Sequence, residues 1–274
     1  MKVSQVLCAA GPVDAVTNQA LAWRRVFDRW GWAGSDYSAH VAPGLPARSL
    51  RQLRELHPAD DELVLLHFSG YAAGLERLLD STPRTLLLSH NVTPARFFWV
   101  QEPVDAARCE LGREQLARLA PAAGALAGVS RFNADELEQI SGREATVIPI
   151  LFERAGSNAN GAESPASPAD GAESPGPPTV LFVGRVTPHK RQDLVIRAFA
   201  RYRRAAPEAR LVLVGAPISE EFGGSLRRLA DELAPGAVSF KADLSSEQLA
   251  AEYRRADVFL CLSEHEGFCI PLLE

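Results

Sequence analysis

Strand-like and helix-like runs alternate along this chain, and one stretch with almost nothing to bury interrupts them. Residues 156–178 read GSNANGAESPASPADGAESPGPP. No side chain there is both larger and more apolar than alanine. Five residues are proline, four are glycine, and the unit GAESP occurs at 161 and again at 171. Such a composition cannot bury enough surface to offset the entropy of ordering it, so the segment is predicted to be a disordered linker. As a random coil it spans roughly 25–30 Å. The chain therefore divides into an N-terminal domain over 1–155, the linker over 156–178 and a C-terminal domain over 179–274.

Apolar runs rich in β-branched and leucine residues predict strands at 3–9, 36–41, 62–69, 84–90, 125–129 and 146–150 in the first half. Apolar residues at helical spacing predict helices at 18–30, 105–120 and 133–140. The second half repeats the order. Strands are predicted at 180–183, 211–214, 238–241 and 258–262, and helices at 192–205, 219–233 and 246–255. Regular alternation of this kind implies an α/β chain with doubly wound parallel sheets, two Rossmann-like domains in all. In such sheets ligands sit outside the carboxyl ends of the strands, so two domains are expected to place a cleft between them. The second domain is short for a doubly wound fold, which makes it look incomplete.

Composition excludes several classes. A net charge of −5 argues against a nucleic-acid binder, and 46% hydrophobic with 23% charged residues is ordinary for a globular protein. No run approaches the 18 or so apolar residues of a membrane span. The N-terminal MKVSQVLCAA reads as a first strand rather than a secretion signal, because its short apolar part runs directly into Gly11 and Pro12. Cys8, Cys109, Cys261 and Cys269 form no C-x-x-C pair and have no histidine cluster, so free intracellular thiols are expected and no metal site. Trp23, Trp30 and Trp32 with nearby arginines could serve a peripheral membrane contact, but core aromatics on a helix and its following turn are favoured. Lysine is scarce: only Lys2, Lys190 and Lys241 occur.

Two segments carry chemistry. The second half opens VLFVGRVTPHK, a strand running into Gly184, then a loop with Arg185 and Lys190. Glycine lets backbone approach a ligand, and the two cations suit phosphate, arginine as a fork and lysine as a point charge. A solvated loop with two surface cations explains these residues equally well on spacing alone. The other segment is SEHEGFCIPLLE, in which Glu266 and Glu274 stand eight positions apart around a glycine-bearing loop and Pro271. Proline at a helix start would put Glu274 in the first turn, where the helix dipole favours a carboxylate by about 0.3–1 kcal/mol whatever its function. Taken jointly, the two segments suit a sugar nucleotide: amides and cations for the anion, carboxylates for hydroxyl groups.

The pattern G-R-x-x-x-x-K followed by E-x7-E, after an N-terminal α/β half, resembles family 4 of the retaining glycosyltransferases, which have the GT-B fold. The segments GPVDA at 11–15, SHNVTP at 89–94 and VSRFN at 129–133 support the resemblance. These segments resemble members that build surface polysaccharide or lipopolysaccharide chains. It implies that Arg185 and Lys190 bind the donor diphosphate, that Glu266 faces the donor sugar and that Glu274 holds the ribose hydroxyls. The amides of Gly267, Phe268 and Cys269 would contact sugar and phosphate, with Gly184 at the start of the cationic loop. His90 would reach the donor sugar or phosphate, and Gly11 would lie under the diphosphate. Asp14 is assigned no role beyond capping the next helix. Cys269 stands where the wider family often has glycine. Family members also continue past the second glutamate with further strand–helix units, so a fragment with weak or no activity of its own is expected.

The implied activity is transfer of a sugar from a nucleotide sugar to a glycan or lipid-linked acceptor. The implied setting is cytoplasmic, at most peripheral at the inner membrane face. No D-x-D motif is visible, so no cofactor or metal is expected and the two cations replace one. Two rivals remain: a nucleotide-sugar epimerase of the same fold, for which no acid/base pair is evident, and a truncated non-catalytic ligand-binding protein. A dinucleotide oxidoreductase is disfavoured because no G-x-G-x-x-G follows the first strand of either half.

Overall fold

A computed structural model describes residues 1–12, 14–45, 50–78, 84–151 and 176–274. Most of the expected linker, 156–175, lies outside the described residues. The chain forms two compact units. The first comprises Met1–Phe152 with Glu266–Phe268, the second Glu153–His265 with Cys269–Glu274.

Among the described residues the first unit contains seven strands: β1 (Val3–Leu7), β2 (Asp36–Ser38), β3 (Arg51–Gln52), β4 (Leu63–Phe68), β5 (Thr85–Ser89), β6 (Ala125–Gly128) and β7 (Thr146–Val147). They form one parallel sheet in the order β3-β2-β1-β4-β5-β6-β7. Its helices are α1 (Ala15–Arg29), α2 (Pro103–Ala122) and α3 (Arg131–Ser141). Side chains alternate faces along a strand, so each strand feeds two layers. Val6, Val64, Leu66, Phe68, Leu87 and Leu126 pack with Leu116 and Leu119 of α2 and Leu137 of α3. On the other face Val3, Leu65, Leu88 and Ala127 pack with Phe27 of α1. Asp14 starts α1 as its cap, accepting from the Thr17 amide at 2.8 Å, and Ser130 caps α3. Gly142, in the left-handed region, ends α3.

Trp23 and Trp32 are half-buried against the Phe27 layer, as the core reading expects. Trp30 is different: it is 59% exposed, with its ring centroid 4.8 Å from that of Trp32.

The second unit contains β8 (Thr179–Val183), β9 (Arg210–Val214), β10 (Val238–Lys241) and β11 (Val258–Phe259). They too are parallel, in the order β10-β9-β8-β11. The helices are α4 (Gln192–Arg203), α5 (Glu220–Leu233) and α6 (Ser246–Arg255). Phe182, Leu211 and Leu213 pack against Val195, Ile196 and Phe199 of α4 and Leu226 of α5. The opposite face, with Leu181 and Val212, packs against Leu249 and Tyr253 of α6. All four cysteines are free, and among the described residues no helix is long and apolar enough to cross a membrane.

Several strands are shorter than expected. β11 stops at Phe259 although the apolar run reaches Leu262. Leu260 carries the ladder one bond further, its amide donating to Leu181 O at 2.9 Å, and with Cys261 and Leu262 it packs on the second core. Beyond β7 the Ile148 amide likewise donates to Gly128 O at 3.0 Å, and Ile148 and Ile150 pack on the first unit's core.

Phe199 is 1% exposed at the centre of the second core. Phe199→Ala is expected to cost about 3–5 kcal/mol in urea unfolding of the second unit. Tyr202→Ala on the same helix, at a residue 44% exposed, should cost under about 1 kcal/mol.

Candidate functional site

In the second unit the two motif segments leave adjacent strands. β8 pairs with β11 through Val180–Val258 and Leu181–Phe259, and the Leu260 amide continues the ladder by donating to Leu181 O at 2.9 Å. Both strands run the same way, so the loop after β8 and the loop after β11 rise side by side. They are tied together. The Glu264 amide donates to the His189 carbonyl at 2.9 Å. Arg191 clamps Asp193 with two bonds of 3.0 Å each and also pairs with Glu264. Arg191 itself sits in the left-handed region at φ 52° as the first cap of α4, so its backbone turn and its guanidinium both serve the junction.

Gly184 opens the loop at φ 152°, its amide held by Val214 O at 2.9 Å. Gly215, at the end of the neighbouring β9, comes so close that a Cβ there would lie 2.0 Å from Gly184 O. The paired glycines bring two strand ends together with bare backbone facing outward. Arg185 is exposed and Lys190 half-buried; the Arg185 carbonyl accepts from Gln192 Nε2 at 3.1 Å and the Lys190 amide donates to Thr187 O at 3.0 Å. Beneath them His189 is buried, with a pKa lowered to about 3 chiefly by burial and then by the charge of Lys190. A neutral imidazole there leaves the positive field of the loop to Arg185 and Lys190. The chain's other two lysines are structural: Lys2 pairs with buried Glu62 at 2.7 Å and Lys241 with Glu252 at 2.8 Å.

Past this junction the backbone departs from expectation. Cys269 adopts φ 63°, ψ 63°, a left-handed conformation that costs a side-chain-bearing residue roughly 1–2 kcal/mol. Glycine would adopt it freely, which gives the cysteine at this position a physical consequence. An α-helix was expected from Pro271. Instead Ile270–Leu272 makes one 3-10 turn, closed by Leu272 N to Cys269 O and Leu273 N to Ile270 O. Glu274 lies beyond it, so no α-helical first turn holds that carboxylate. It accepts from the Tyr253 hydroxyl at 2.6 Å, and burial followed by this bond pushes the phenol pKa upward.

The remaining candidates belong to the first unit. His90 follows β5 and is held by its amide to Phe68 O at 2.8 Å. Its Nε2 lies 3.0 Å from Nδ1 of His67, a residue with no exposed surface. Burial lowers the His90 pKa to about 3 and takes that of His67 well below 6.5. Gly11 follows β1. Its amide is taken by Thr17 Oγ1 at 3.1 Å, so any contact it makes with an anion does not use its own N–H. Glu266 is half-buried. The Gly267 carbonyl accepts from Asn133 Nδ2 at 3.2 Å, and a Cβ on Gly267 would come within 2.8 Å of His90 O. Phe268 packs on the Val3–Phe27–Leu65 layer, and these contacts are why Glu266–Phe268 count with the first unit.

Comparison with known proteins now has a geometry to refer to. Two doubly wound parallel-sheet units in one chain, the second with a glycine–cation loop at its strand ends, define a GT-B glycosyltransferase fold. The solved structures agree. WaaG, a glycosyltransferase involved in lipopolysaccharide biosynthesis, superposes with a TM-score of 0.65 at 15% identity over 99% of this chain and 77% of that one. Anabaena HepE in complex with UDP and glucose gives 0.61 at 15% identity, over 100% and 77%. Residues 164–274 match the family model for glycosyl transferases group 1. A GDP-mannose-dependent alpha-(1-6)-phosphatidylinositol monomannoside mannosyltransferase of Mycolicibacterium smegmatis is 37% identical over 84 residues, 30% of this chain and 21% of its own length. The D-inositol 3-phosphate glycosyltransferase of the same organism is 37% identical over 98 residues, 35% and 22% respectively. The matched stretch thus spans about a fifth of the length of these curated relatives. The resemblance noted in the sequence is borne out in the fold of the chain and in the match of its second half to a glycosyl transferase family model.

The buried histidines set a pH dependence of stability. His90 and His189 have folded pKa values of about 3, and His67 is lowered too, against about 6.5 in an unfolded chain. Below 6.5 the unfolded chain binds protons that the folded one refuses, so folding stability is full above that pH and falls as pH drops from about 6.5 toward 3. Urea midpoints measured at pH 7.5 and 5.5 should show the fall, ahead of any carboxylate titration. An unchanged midpoint would mean these imidazoles are not held neutral.

Proposed function

We propose that this chain is the catalytic part of a retaining glycosyltransferase that moves a sugar from a nucleoside-diphosphate sugar to a glycan or lipid-linked acceptor in surface polysaccharide synthesis. The observation that carries the reading is the junction in the second unit, where the Gly184–Lys190 loop and the loop through Glu264 are bonded side by side at one sheet edge. That edge joins bare backbone to two cations, the chemistry a diphosphate requires.

As the anomeric carbon–oxygen bond breaks, negative charge grows on the departing diphosphate and positive charge on the sugar. Arg185 and Lys190 offset the first. Their backbones are held before reaction, Arg185 through its carbonyl's bond from Gln192 and Lys190 through its amide's bond to Thr187 O, so the loop itself needs no rearrangement as the charge develops. Glu266 faces the sugar and Glu274 takes the ribose hydroxyls, for which it must exchange its Tyr253 partner. The acceptor hydroxyl oxygen forms the new bond on the face the leaving group vacates, and its proton passes to the departing diphosphate. We expect no metal requirement, since the two cations carry the charge that a D-x-D-bound ion would otherwise neutralise. Donor choice is open to a short screen: one relative is named for GDP-mannose, and one structural neighbour holds UDP and glucose. A cytoplasmic site of action, where nucleotide sugars are made, fits the same reading, with membrane contact at most peripheral.

Labelled GDP- and UDP-sugars with lipid-linked and glycan acceptors test this. Acceptor-dependent nucleotide release, at the low rate expected of a fragment and with the donor's anomeric configuration kept in the product, is the expected result. Interconversion of the donor sugar alone would mean an epimerase, and binding without turnover a ligand-binding protein. Arg185→Ala and Lys190→Ala are each expected to lower kcat by about 10²–10³-fold, and a chelator should leave the rate unchanged.

A further inference from the structure

A line of buried polar side chains crosses the first unit's sheet behind His90. Strand register draws it. Gln5 on β1 lies opposite Asp36 on β2 and Leu65 on β4. His67, two residues past Leu65, lies opposite Leu88 on β5, and His90 is two residues past Leu88. Steps of two keep Gln5, His67 and His90 on one face, the face that α1 covers. Gln5 and His67 have no exposed surface, and Asp36 is 6% exposed. Polar groups so placed persist only if bonded, and these are.

The bonds fix the proton positions by elimination. Gln5 Nε2 stands 2.9 Å from the Ala20 carbonyl and 2.9 Å from Asp36 Oδ1. The first can only accept. Asp36 Oδ1 already accepts from Arg24, whose Nη2 is 2.6 Å away and whose Nε is 3.1 Å away, and the oxygen of such an ion pair offers Gln5 only a lone pair. Flipping the Gln5 amide would set its oxygen against two acceptors, so both amide hydrogens point at them. Gln5 Oε1 is then the atom 2.9 Å from His67 Nε2, and His67 must donate there. A neutral imidazole has one N–H, so His67 Nδ1 carries a lone pair. That lone pair faces His90 Nε2 at 3.0 Å, so His90 must donate in turn. The remaining ring nitrogen of His90, Nδ1, is left as an acceptor. Burial, which disfavours a charged ring at either position, keeps both histidines neutral.

We propose that Gln5 and His67 are positioning residues that lock His90 as its Nε2–H tautomer, so that His90 recognises a sugar hydroxyl of the donor through Nδ1 and does not bind phosphate. This rests on the glycosyltransferase reading above. A hydroxyl can donate to the lone pair, whereas a phosphate oxygen offers only lone pairs of its own. The relay thus settles which half of a nucleotide sugar His90 reads. It also explains why an apolar sheet layer contains a glutamine and a histidine that touch no solvent.

The test begins with the unaltered, uniformly ¹⁵N-labelled chain. Long-range proton–nitrogen correlation of the imidazole rings should show His67 and His90 both protonated on Nε2 at pH 7.5. A His90 protonated on Nδ1, or exchanging between the two forms, overturns the proposal, and this reading needs neither a variant nor a known donor. His67→Phe then removes the acceptor from His90. It should release the His90 tautomer and lower kcat/KM for the nucleotide sugar by about 10–100-fold, while the Kd of the sugar-free nucleoside diphosphate changes less than twofold. His67→Gln, which again offers His90 an amide oxygen, should recover most of the loss. Parallel weakening of nucleoside diphosphate binding, or an undiminished kcat/KM in His67→Phe, contradicts the proposal. Absence of transfer with every donor would sink the functional reading but leave the tautomer result to judge the relay.

Discussion

A parallel ladder sends all its strands in one direction, so every loop that leaves a carboxyl end emerges along the same edge of the sheet. In the second unit this constraint brings residues 184–190 beside residues 263–265, some 75 positions apart in sequence, through the single pairing of β8 with β11. The pairing alone would leave two loops near each other. The Arg191 clamp on Asp193 and Glu264 and the amide of Glu264 on His189 make them one structure. Arg185 and Lys190 inherit a fixed base, which is what an electrostatic site needs to act without reorganising.

In the first unit the same geometry does a different task. Register across β2, β1, β4 and β5 aligns Asp36, Gln5, His67 and His90 so that one largely buried ion pair, Arg24–Asp36, dictates the protonation of a ring three strands away. Neutral imidazoles buried this deeply weaken the fold in acid. They persist in a layer where leucine or valine would pack without any bonding requirement.

Much of this was readable before any coordinates. The strand–helix order, the helix cap at Asp14 and the glycine–cation loop follow from local pattern, because capping and periodicity are local properties. β3 was not legible: Arg51–Gln52 is two polar residues with no alternation, held only by its neighbour β2. Strand ends were overdrawn at β7 and β11, since Ile150 or Leu262 looks the same to a pattern whether it pairs or merely packs. Gln5 and His67 passed as ordinary strand residues because their meaning depends on cross-strand register. One signal was present: each is the strongly polar member of an otherwise apolar run, VSQVL and LVLLHF. The Arg191–Glu264 tie had no such signal, as both read as loop charges.

The central claim is that the two loops of the second unit form one diphosphate-binding surface. Titration of the ¹⁵N-labelled chain with UDP and with GDP, followed through backbone amide shifts, tests it directly. Amides of Gly184, His189 and Lys190 should move together with those of Ser263 and Glu264 along a single saturating isotherm for at least one of the two nucleotides. Shifts confined to one loop, two unrelated isotherms, or no saturable response to either nucleotide would contradict it.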